Sequence, residues 1–303
     1  MELTLGPIPF HWPAERRRDF YARIADEAPV DTVYLGEVIC SKRAPFHEHD
    51  LGDTAARLER AGKRVVFSTL CEVMTKRERK MTEELCAMEG AEIEVNNATA
   101  LWHIAGRGHR LGPLMNVYNE ATLAYLAARG ATHVSLPVEL PGAAVAQLGA
   151  AARSLGIGVE VQVFGRASLA VSARCYHARA HGRTKDSCQF VCEADPDGMA
   201  LKTLDGKDFL TVNGIQTLSQ SYISLISDLP ALRAAGVSHC RLVPHSQDMV
   251  AVARLFRAAM AGGIGPGEAA AALSLLGIPA PFSNGFWHGQ PGYKMVPAAA
   301  MAG

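Results

Sequence analysis

The sequence has neither a long apolar run nor an excess of charge of one sign. Its 30 Lys and Arg side chains are balanced by 30 Asp and Glu side chains, so no overall basic field exists to hold nucleic acid or an anionic membrane. No run of about eighteen apolar residues occurs, and we expect no membrane-spanning helix. The opening MELTLGPIPFHWPAERRR lacks the charged start and apolar core of a signal peptide. These absences predict a cytoplasmic protein that does not bind nucleic acid.

Motifs of several common enzyme classes are also missing. No GxGxxG follows the first predicted strand and no Walker-type lysine loop is present, which disfavours a nucleotide site. No Gly-x-Ser-x-Gly, His-Glu-x-x-His or convincing Cys–His pair supports a hydrolase. Seven cysteines are an odd number, which disfavours a complete disulfide framework. In a reducing compartment, clustered thiols more often bind metal or do redox chemistry.

What the sequence does contain is an alternation of short β-rich runs with amphipathic helical segments. Strict alternation predicts parallel βαβ units, and several runs are apolar almost throughout, as expected for strands buried on both faces. We predict an α/β fold with a TIM-like (β/α)8 barrel. A doubly wound open sheet is the alternative, because alternation alone does not prove closure. The predicted strands are ELTLGPI, DTVYLGEVI, RVVFSTL, AEIEV, LGPLMNVY, THVSLPV, IGVEVQV and SHCRLVP.

We predict one barrel domain over residues 1–303, with two additions. The insertion 165–235 separates the seventh and eighth predicted strands and is far longer than the usual connection of a few residues. In it, MALKTLDGKDFLTVNG predicts a hairpin, and LSQSYISLISDLPALRAAG predicts a helix. The second addition is an irregular aromatic tail, residues 277–303. Loops after the strands carry the chemistry of barrel enzymes, so we expect the insertion on the functional face.

Three of the seven cysteines, Cys175, Cys188 and Cys192, fall in polar surroundings within the insertion. A fourth, Cys40, follows the second predicted strand, at the rim that the insertion would face. We predict that these four thiols meet there as metal ligands. Four thiolates suit zinc and an iron–sulfur cluster equally, and the uneven spacing leaves both open. The other three cysteines, Cys71, Cys86 and Cys240, are predicted to be small buried hydrophobes.

The stretch EVQVFGRASLAVSARC, residues 160–175, resembles the signature of the collagenase-like peptidase family, peptidase family U32. Two positions differ from the family pattern. Gln162 replaces an aromatic residue, and Ser168 stands where the family has its first cysteine. The matching positions are Glu160, Gly165, Ser172, Arg174 and Cys175.

In having Ser168 instead of the family's first cysteine, the chain resembles one branch of this family, the UbiV-like proteins of ubiquinone biosynthesis. SNGFWHGQPG and NGIQTLSQSYISLISDLPALRAAG are similar to this branch as well. The resemblance implies a 4Fe-4S cluster on Cys40, Cys175, Cys188 and Cys192, with Cys40 replacing the missing ligand. It also implies a subunit for the oxygen-independent hydroxylation of ubiquinone precursors. The implied partners are a UbiU-like cluster-bearing subunit, in a heterodimer, and a UbiT-like lipid-binding accessory protein.

Relatives that hydroxylate RNA use prephenate, so the resemblance implies an anionic oxygen donor that needs cationic partners. The predicted rim offers Lys42, Arg43, Arg166 and Arg174 as candidates, and Arg can pair with a carboxylate through two parallel hydrogen bonds. The alternative for each is a solvated surface charge. No catalytic residue is assigned, and whether the chain is itself an enzyme stays open. The competing functions are a U32-type peptidase, which the missing motifs disfavour, and an RNA-hydroxylating relative, which the neutral charge disfavours.

Overall fold

The computed structural model describes residues 1–104 and 106–297. Its twelve strands are β1 Glu2–Leu5, β2 Thr32–Leu35, β3 Arg64–Ser68, β4 Glu92–Val95, β5 His109–Leu111, β6 Ala131–Ser135, β7 Gly158–Val171, β8 Met199–Lys202, β9 Asp208–Asn213, β10 Gln216–Ser224, β11 His239–Leu242 and β12 Phe282–Ser283. Its ten helices are α1 Ala14–Glu27, α2 Leu51–Arg60, α3 Lys76–Cys86, α4 Ala98–Ile104, α5 Glu120–Ala127, α6 Gly142–Leu155, α7 Tyr176–Ala180, α8 Leu229–Ala234, α9 Met249–Met260 and α10 Pro266–Ser274. The last residues of the predicted tail, 298–303, lie outside the described residues.

Eight parallel strands close into a barrel. Strands β1 to β7 pair in sequence order, and β11 pairs in parallel with both β7 and β1. Helices follow the barrel strands and cover the outside, where apolar side chains of strands and helices form one large core. The predicted (β/α)8 barrel is confirmed, and the open sheet is not formed because β11 supplies the closing strand.

No helix within residues 1–104 and 106–297 is both long and apolar enough to cross a membrane.

Strand β7 belongs both to the barrel and to an extension of the same sheet. Its first half lies in the barrel, and from Phe164 onward it pairs antiparallel with β10, which pairs with β9, which in turn pairs with β8. The change occurs at Gly165, which has φ of +109°, and a Cβ there would lie 2.8 Å from Cβ of Val243. Only glycine combines this backbone with such a close approach. The bend carries a β-extension past the carboxyl-terminal rim of the barrel.

The insertion and the fifth strand follow their predictions in part. The predicted hairpin is observed as β8 and β9. The helix predicted for LSQSYISLISDLPALRAAG is wrong over its first half, which forms β10, because this segment pairs with strands on both sides and pairing overrides local preference. The strand predicted over LGPLMNVY is displaced to His109–Leu111, since Pro113 begins a turn and cannot donate to a sheet.

The barrel interior is charged rather than aliphatic. Nη2 of Arg241 lies 2.5 Å from Oε1 of Glu94 and 2.5 Å from Oε2 of Glu160. Arg110 donates to the hydroxyl of Tyr34 at 2.9 Å, and the Arg241 guanidinium stacks on the Tyr34 ring. Strands β2, β4, β5, β7 and β11 supply the inward side chains of this network, so these strands are not apolar on both faces.

Candidate functional site

A cavity of about 580 Å³ lies at the carboxyl-terminal mouth of the barrel. Residues at or beyond the ends of all eight barrel strands line it. This is the face on which barrel enzymes hold their substrates. The contributing residues include Gly6 after β1, Val38 after β2, Cys71 after β3, Asn96 after β4, Pro113 after β5, Leu136 after β6, Arg166 in β7 and Val243 after β11.

The floor of this large cavity is the top of the charged network, where Glu94 and Arg241 line it. Burial alone would lower the pKa of Arg241, but Glu160 and Glu94 beside it hold the pKa well above its ordinary value. Burial would likewise raise the pKa of Glu160, yet Arg241 and His133 hold it well below. Arg241 and Glu160 therefore stay ionised, and their opposite charges compensate each other. Because its charge is already compensated, Arg241 is a poor anchor for an anionic ligand.

Several buried polar atoms of residues that line the large cavity are left for a ligand, the Nε atoms of Arg166 and Arg241 among them. Oγ of Ser135 and Nε2 of His245 have no hydrogen-bond partner among the described residues. Burial lowers the pKa of His245 to about 4, so the ring is neutral at pH 7. Its Nδ1 lies 3.0 Å from the carbonyl oxygen of Val243 and donates to it, which leaves Nε2 as an acceptor. The wall can thus accept a hydrogen bond from a ligand hydroxyl.

The four cysteines predicted as ligands, Cys40, Cys175, Cys188 and Cys192, line one small cavity of about 20 Å³. All four are free thiols. Within the described part of the chain, no set of three or more His, Cys, Asp or Glu side chains is arranged to hold a single metal ion. The structure thus brings the four thiols to one place without the tight grouping that a single ion requires.

Buried polar contacts fix the Cys40 side of the small cavity. Oε1 of Glu37 accepts hydrogen bonds from the N–H groups of Ile39 and Cys40, both at 3.0 Å. Burial would raise the pKa of Glu37, but His47 and Arg43 lower it below its ordinary value. The ionised carboxylate therefore holds the turn in which Cys40 follows β2.

The loop that carries the other three thiols is held at both ends. Nε2 of the fully buried His177 lies 2.9 Å from Oδ2 of Asp195, which joins the segment after Cys175 to the segment after Cys192. Nζ of Lys42 donates to the carbonyl oxygen of Lys185 at 2.8 Å. These contacts tie the loop to itself and to the Cys40 segment.

Two consecutive residues between Cys188 and Cys192 have left-handed backbone. Gln189 has φ of 48° and Phe190 has φ of 53°, a conformation that costs energy for any residue other than glycine. The tight turn they form leaves both cysteines on the same cavity. The Phe190 ring packs edge-on against Phe46, with centroids 4.7 Å apart, and covers this side of the thiols.

Burial sets the protonation of these thiols. It raises the pKa of Cys40, Cys175 and Cys192, while the nearby charge of Arg43 acts in the opposite direction on each. Cys40, Cys175 and Cys192 are therefore protonated at neutral pH, and any metal that binds them must displace protons.

The two cavities are neighbours. Ile39 lines the large cavity and the next residue, Cys40, lines the small one. A compact apolar cluster joins the two sides; it comprises Val38, Ile39, Cys175, Ala178 and Ile215. A group held by the four thiols would therefore lie directly behind one wall of the large cavity.

The four cationic candidates occupy different places. Lys42 clamps the cysteine loop, and Arg43 is buried among the thiols. Arg166 lines the large cavity, where its guanidinium stacks on Tyr222 at 4.6 Å. Arg174 is exposed. Only Arg166 among the four contributes to the large cavity.

Sequence reasoning missed the charged floor and the acceptors on the wall. Glu94 and Arg241 alternate with apolar residues in EIEV and HCRL, and a charge in an otherwise apolar buried strand was the available signal. Ser168, which stands where the family pattern has a cysteine, accepts a hydrogen bond from Gln216 at 2.8 Å and lines the large cavity.

Comparison with family models supports the same assignment as the signature stretch. The model of peptidase family U32 matches residues 18–295, which include the barrel from α1 onward, the cysteine loop and most of the tail. The chain belongs to peptidase family U32.

Proposed function

We propose that this chain is an iron–sulfur subunit required for oxygen-independent hydroxylation in ubiquinone biosynthesis, with a 4Fe-4S cluster on Cys40, Cys175, Cys188 and Cys192. One observation carries the proposal: these four thiols, drawn from two distant segments, line one small cavity behind the wall of the large cavity. No other three cysteines of the chain lie so close in sequence as the three in the loop.

The donor set fits a cluster better than zinc. Four thiolates around zinc all lie about 2.3 Å from one point, and no such grouping occurs within the described residues. A 4Fe-4S cluster binds each thiolate to a different iron and so needs the sulfurs farther apart. When bound, such a cluster supplies one-electron transfer or an iron that polarises a ligand oxygen.

The chain's own residues would bind and orient a substrate in the large cavity. Apolar residues of the wall, among them Phe10 and Leu114, exclude water from an aromatic ring, and His245 Nε2 is placed to accept from a ring hydroxyl. Arg166 keeps an unpartnered Nε within the described residues, and its Nη1 donates only to main-chain carbonyls. Its charge is available to an anionic donor such as prephenate.

A peptidase activity receives no support from the large cavity. The cysteine on its wall is Cys71, and burial raises the pKa of this thiol to about 12. A cysteine nucleophile requires the opposite shift, because only the thiolate attacks.

The partners in this proposal are a UbiU-like cluster-bearing subunit and a UbiT-like lipid-binding accessory protein, with a ubiquinone precursor as substrate. The β8–β9 hairpin presents three exposed apolar side chains, Leu201, Leu204 and Phe209. Exposed apolar and aromatic residues of this kind anchor protein interfaces, and we place the UbiU-like contact at this hairpin.

The proposed role is tested in cells of the source organism that lack the chain. Grown without oxygen, they should lose ubiquinone and accumulate an incompletely hydroxylated precursor. Wild-type chain and the Cys86→Ala variant should restore ubiquinone, whereas Cys192→Ala should not. Unchanged ubiquinone in the cells lacking the chain would refute the role in this pathway.

A further inference from the structure

Arg43 is the buried cation of the cysteine cavity. Its side chain is 1% exposed and lines the small cavity with all four thiols. Nη1 donates to the carbonyl oxygen of Pro9 at 2.8 Å, and Nη2 donates to Oδ1 of Asn213 at 2.9 Å. Nε is buried and has no hydrogen-bond partner among the described residues. Two acceptors thus fix the guanidinium, which has five N–H groups, and leave the N–H of Nε among those still free to donate.

The surroundings are shaped to admit this guanidinium. Gly214 has φ of +61°, and a Cβ at this position would lie 2.7 Å from Nη2 of Arg43. A side chain at residue 214 would therefore displace the guanidinium from the thiols. Gly214, Pro9 and Asn213 together form a site that fits one cation beside the thiols.

The charge of Arg43 acts on the thiols as well as on Glu37, because the guanidinium makes its side-chain and main-chain hydrogen bonds to Asn213 and Pro9 and none to a carboxylate within the described residues. Glu37 is a buried anion whose two oxygens are occupied by the N–H groups of Ile39 and Cys40 and by the His47 ring. Arg43 lines the small cavity together with Cys40 and Cys192, and its Nε has no hydrogen-bond partner among the described residues. Hydrogen bonds and fixed charge at the sulfurs are what tune the potential of an iron–sulfur centre.

We propose that Arg43 is a positioning residue for the iron–sulfur centre: its guanidinium donates to a cysteine sulfur of the centre and raises the reduction potential of the centre. The inference rests on the proposed cluster. Four thiolates make the centre anionic, and one electron taken from a low-potential reductant adds negative charge without breaking a bond. A fixed cation in a buried site stabilises the reduced form more than the oxidised form.

The test is a redox titration of anaerobically purified protein with dithionite, followed by electron paramagnetic resonance. The variants are Arg43→Gln, which removes the charge, and Arg43→Lys, which keeps it. Arg179→Gln removes an exposed charge from the same loop and serves as the matched control. A hydrogen bond to a charged group changes an equilibrium by roughly tenfold or more. We expect Arg43→Gln to lower the ratio of reduced to oxidised centre at a fixed potential by about that factor, Arg43→Lys to lower it less, and Arg179→Gln to leave it within about twofold.

An Arg43→Gln centre with the wild-type potential, or a higher one, would overturn the inference. If that variant does not fold, the reduction potential of Asn213→Ala is measured instead, because this variant removes one acceptor that holds the guanidinium. The same downward shift supports the inference, and an unchanged potential refutes it. Wild-type protein without iron would instead refute the proposed function itself, so the two failures are distinguishable.

Discussion

Arg241 and Glu160 form an ion pair inside the closed barrel, with Nη2 of the guanidinium 2.5 Å from Oε2 of the carboxylate. Both side chains are almost completely buried. The same guanidinium contacts Glu94, whose other oxygen accepts from Ser68 at 2.7 Å. Each charge in this network is compensated by a neighbour, so removal of one member leaves a buried charge without a partner.

Glu160→Gln should therefore lower the free energy of unfolding by about 3–5 kcal/mol, the usual effect of breaking a buried pair. Urea unfolding followed by circular dichroism measures the difference. Glu84→Gln is the matched control, because Glu84 pairs with Lys80 on an exposed helix face and its loss should change stability by less than about 0.5 kcal/mol. Equal changes in the free energy of unfolding would show that the buried network stabilises the fold no more than an exposed ion pair does.

Acid should weaken the link between α3 and the Cys40 segment. Glu78 accepts hydrogen bonds from Oγ of Ser41 at 2.7 Å and from the N–H groups of Met74 and Thr75, both at 2.9 Å. Burial alone would raise the pKa of Glu78, but these bonds outweigh it and lower the pKa from 4.5 to about 2. A lowered pKa means stability that is present above pH 4.5 and is lost as the pH falls through 2.

Glu78→Gln should accordingly destabilise the protein by about 1–2 kcal/mol at pH 7. The difference from wild type should shrink as the pH falls and vanish near pH 2. Thermal unfolding over this pH series gives the comparison. A difference that stays constant down to acidic pH would contradict the assigned role of the carboxylate.

Up to residue 297, where the described residues end, the aromatic tail packs against the rest of the fold. Phe286 and Trp287 pack against the main core, and the Trp287 ring covers Gly142. We expect Trp287→Ala to cost about 2–3 kcal/mol of stability, and Tyr293→Ala, which truncates an exposed ring, to cost almost nothing. Deletion of residues 281–295 should remove the fold and any bound iron together. A folded deletion variant would contradict this account.

If a UbiU-like subunit binds at the β8–β9 hairpin, substitutions in the hairpin should prevent pairing with that subunit without affecting folding. The double variant Leu204→Asp with Phe209→Asp should abolish co-purification with a UbiU-like subunit from anaerobic cells while the thermal unfolding temperature stays the same. Trp102→Asp alters another exposed aromatic residue and should leave pairing intact. Normal pairing of the hairpin variant would contradict the placement of the interface at this hairpin.

The sequence predicts the barrel because each βα unit has a local pattern, and the position of Cys40 after β2 places it at the correct rim. The interior network was not predictable in the same way. Glu94, Glu160 and Arg241 come from three strands far apart in the chain, and only the closed barrel makes them neighbours. The environment of Arg43 likewise depends on the left-handed turn at Phe190, which has no signature in local sequence.

The central claim is most directly tested by iron, sulfide and zinc analysis of protein purified without oxygen. We predict a brown protein with about four irons and four sulfides per chain. Cys175→Ala should abolish the colour, whereas Cys71→Ala and Cys86→Ala should keep it. Stoichiometric zinc without iron, or the same iron content in wild type and Cys175→Ala, would contradict the account.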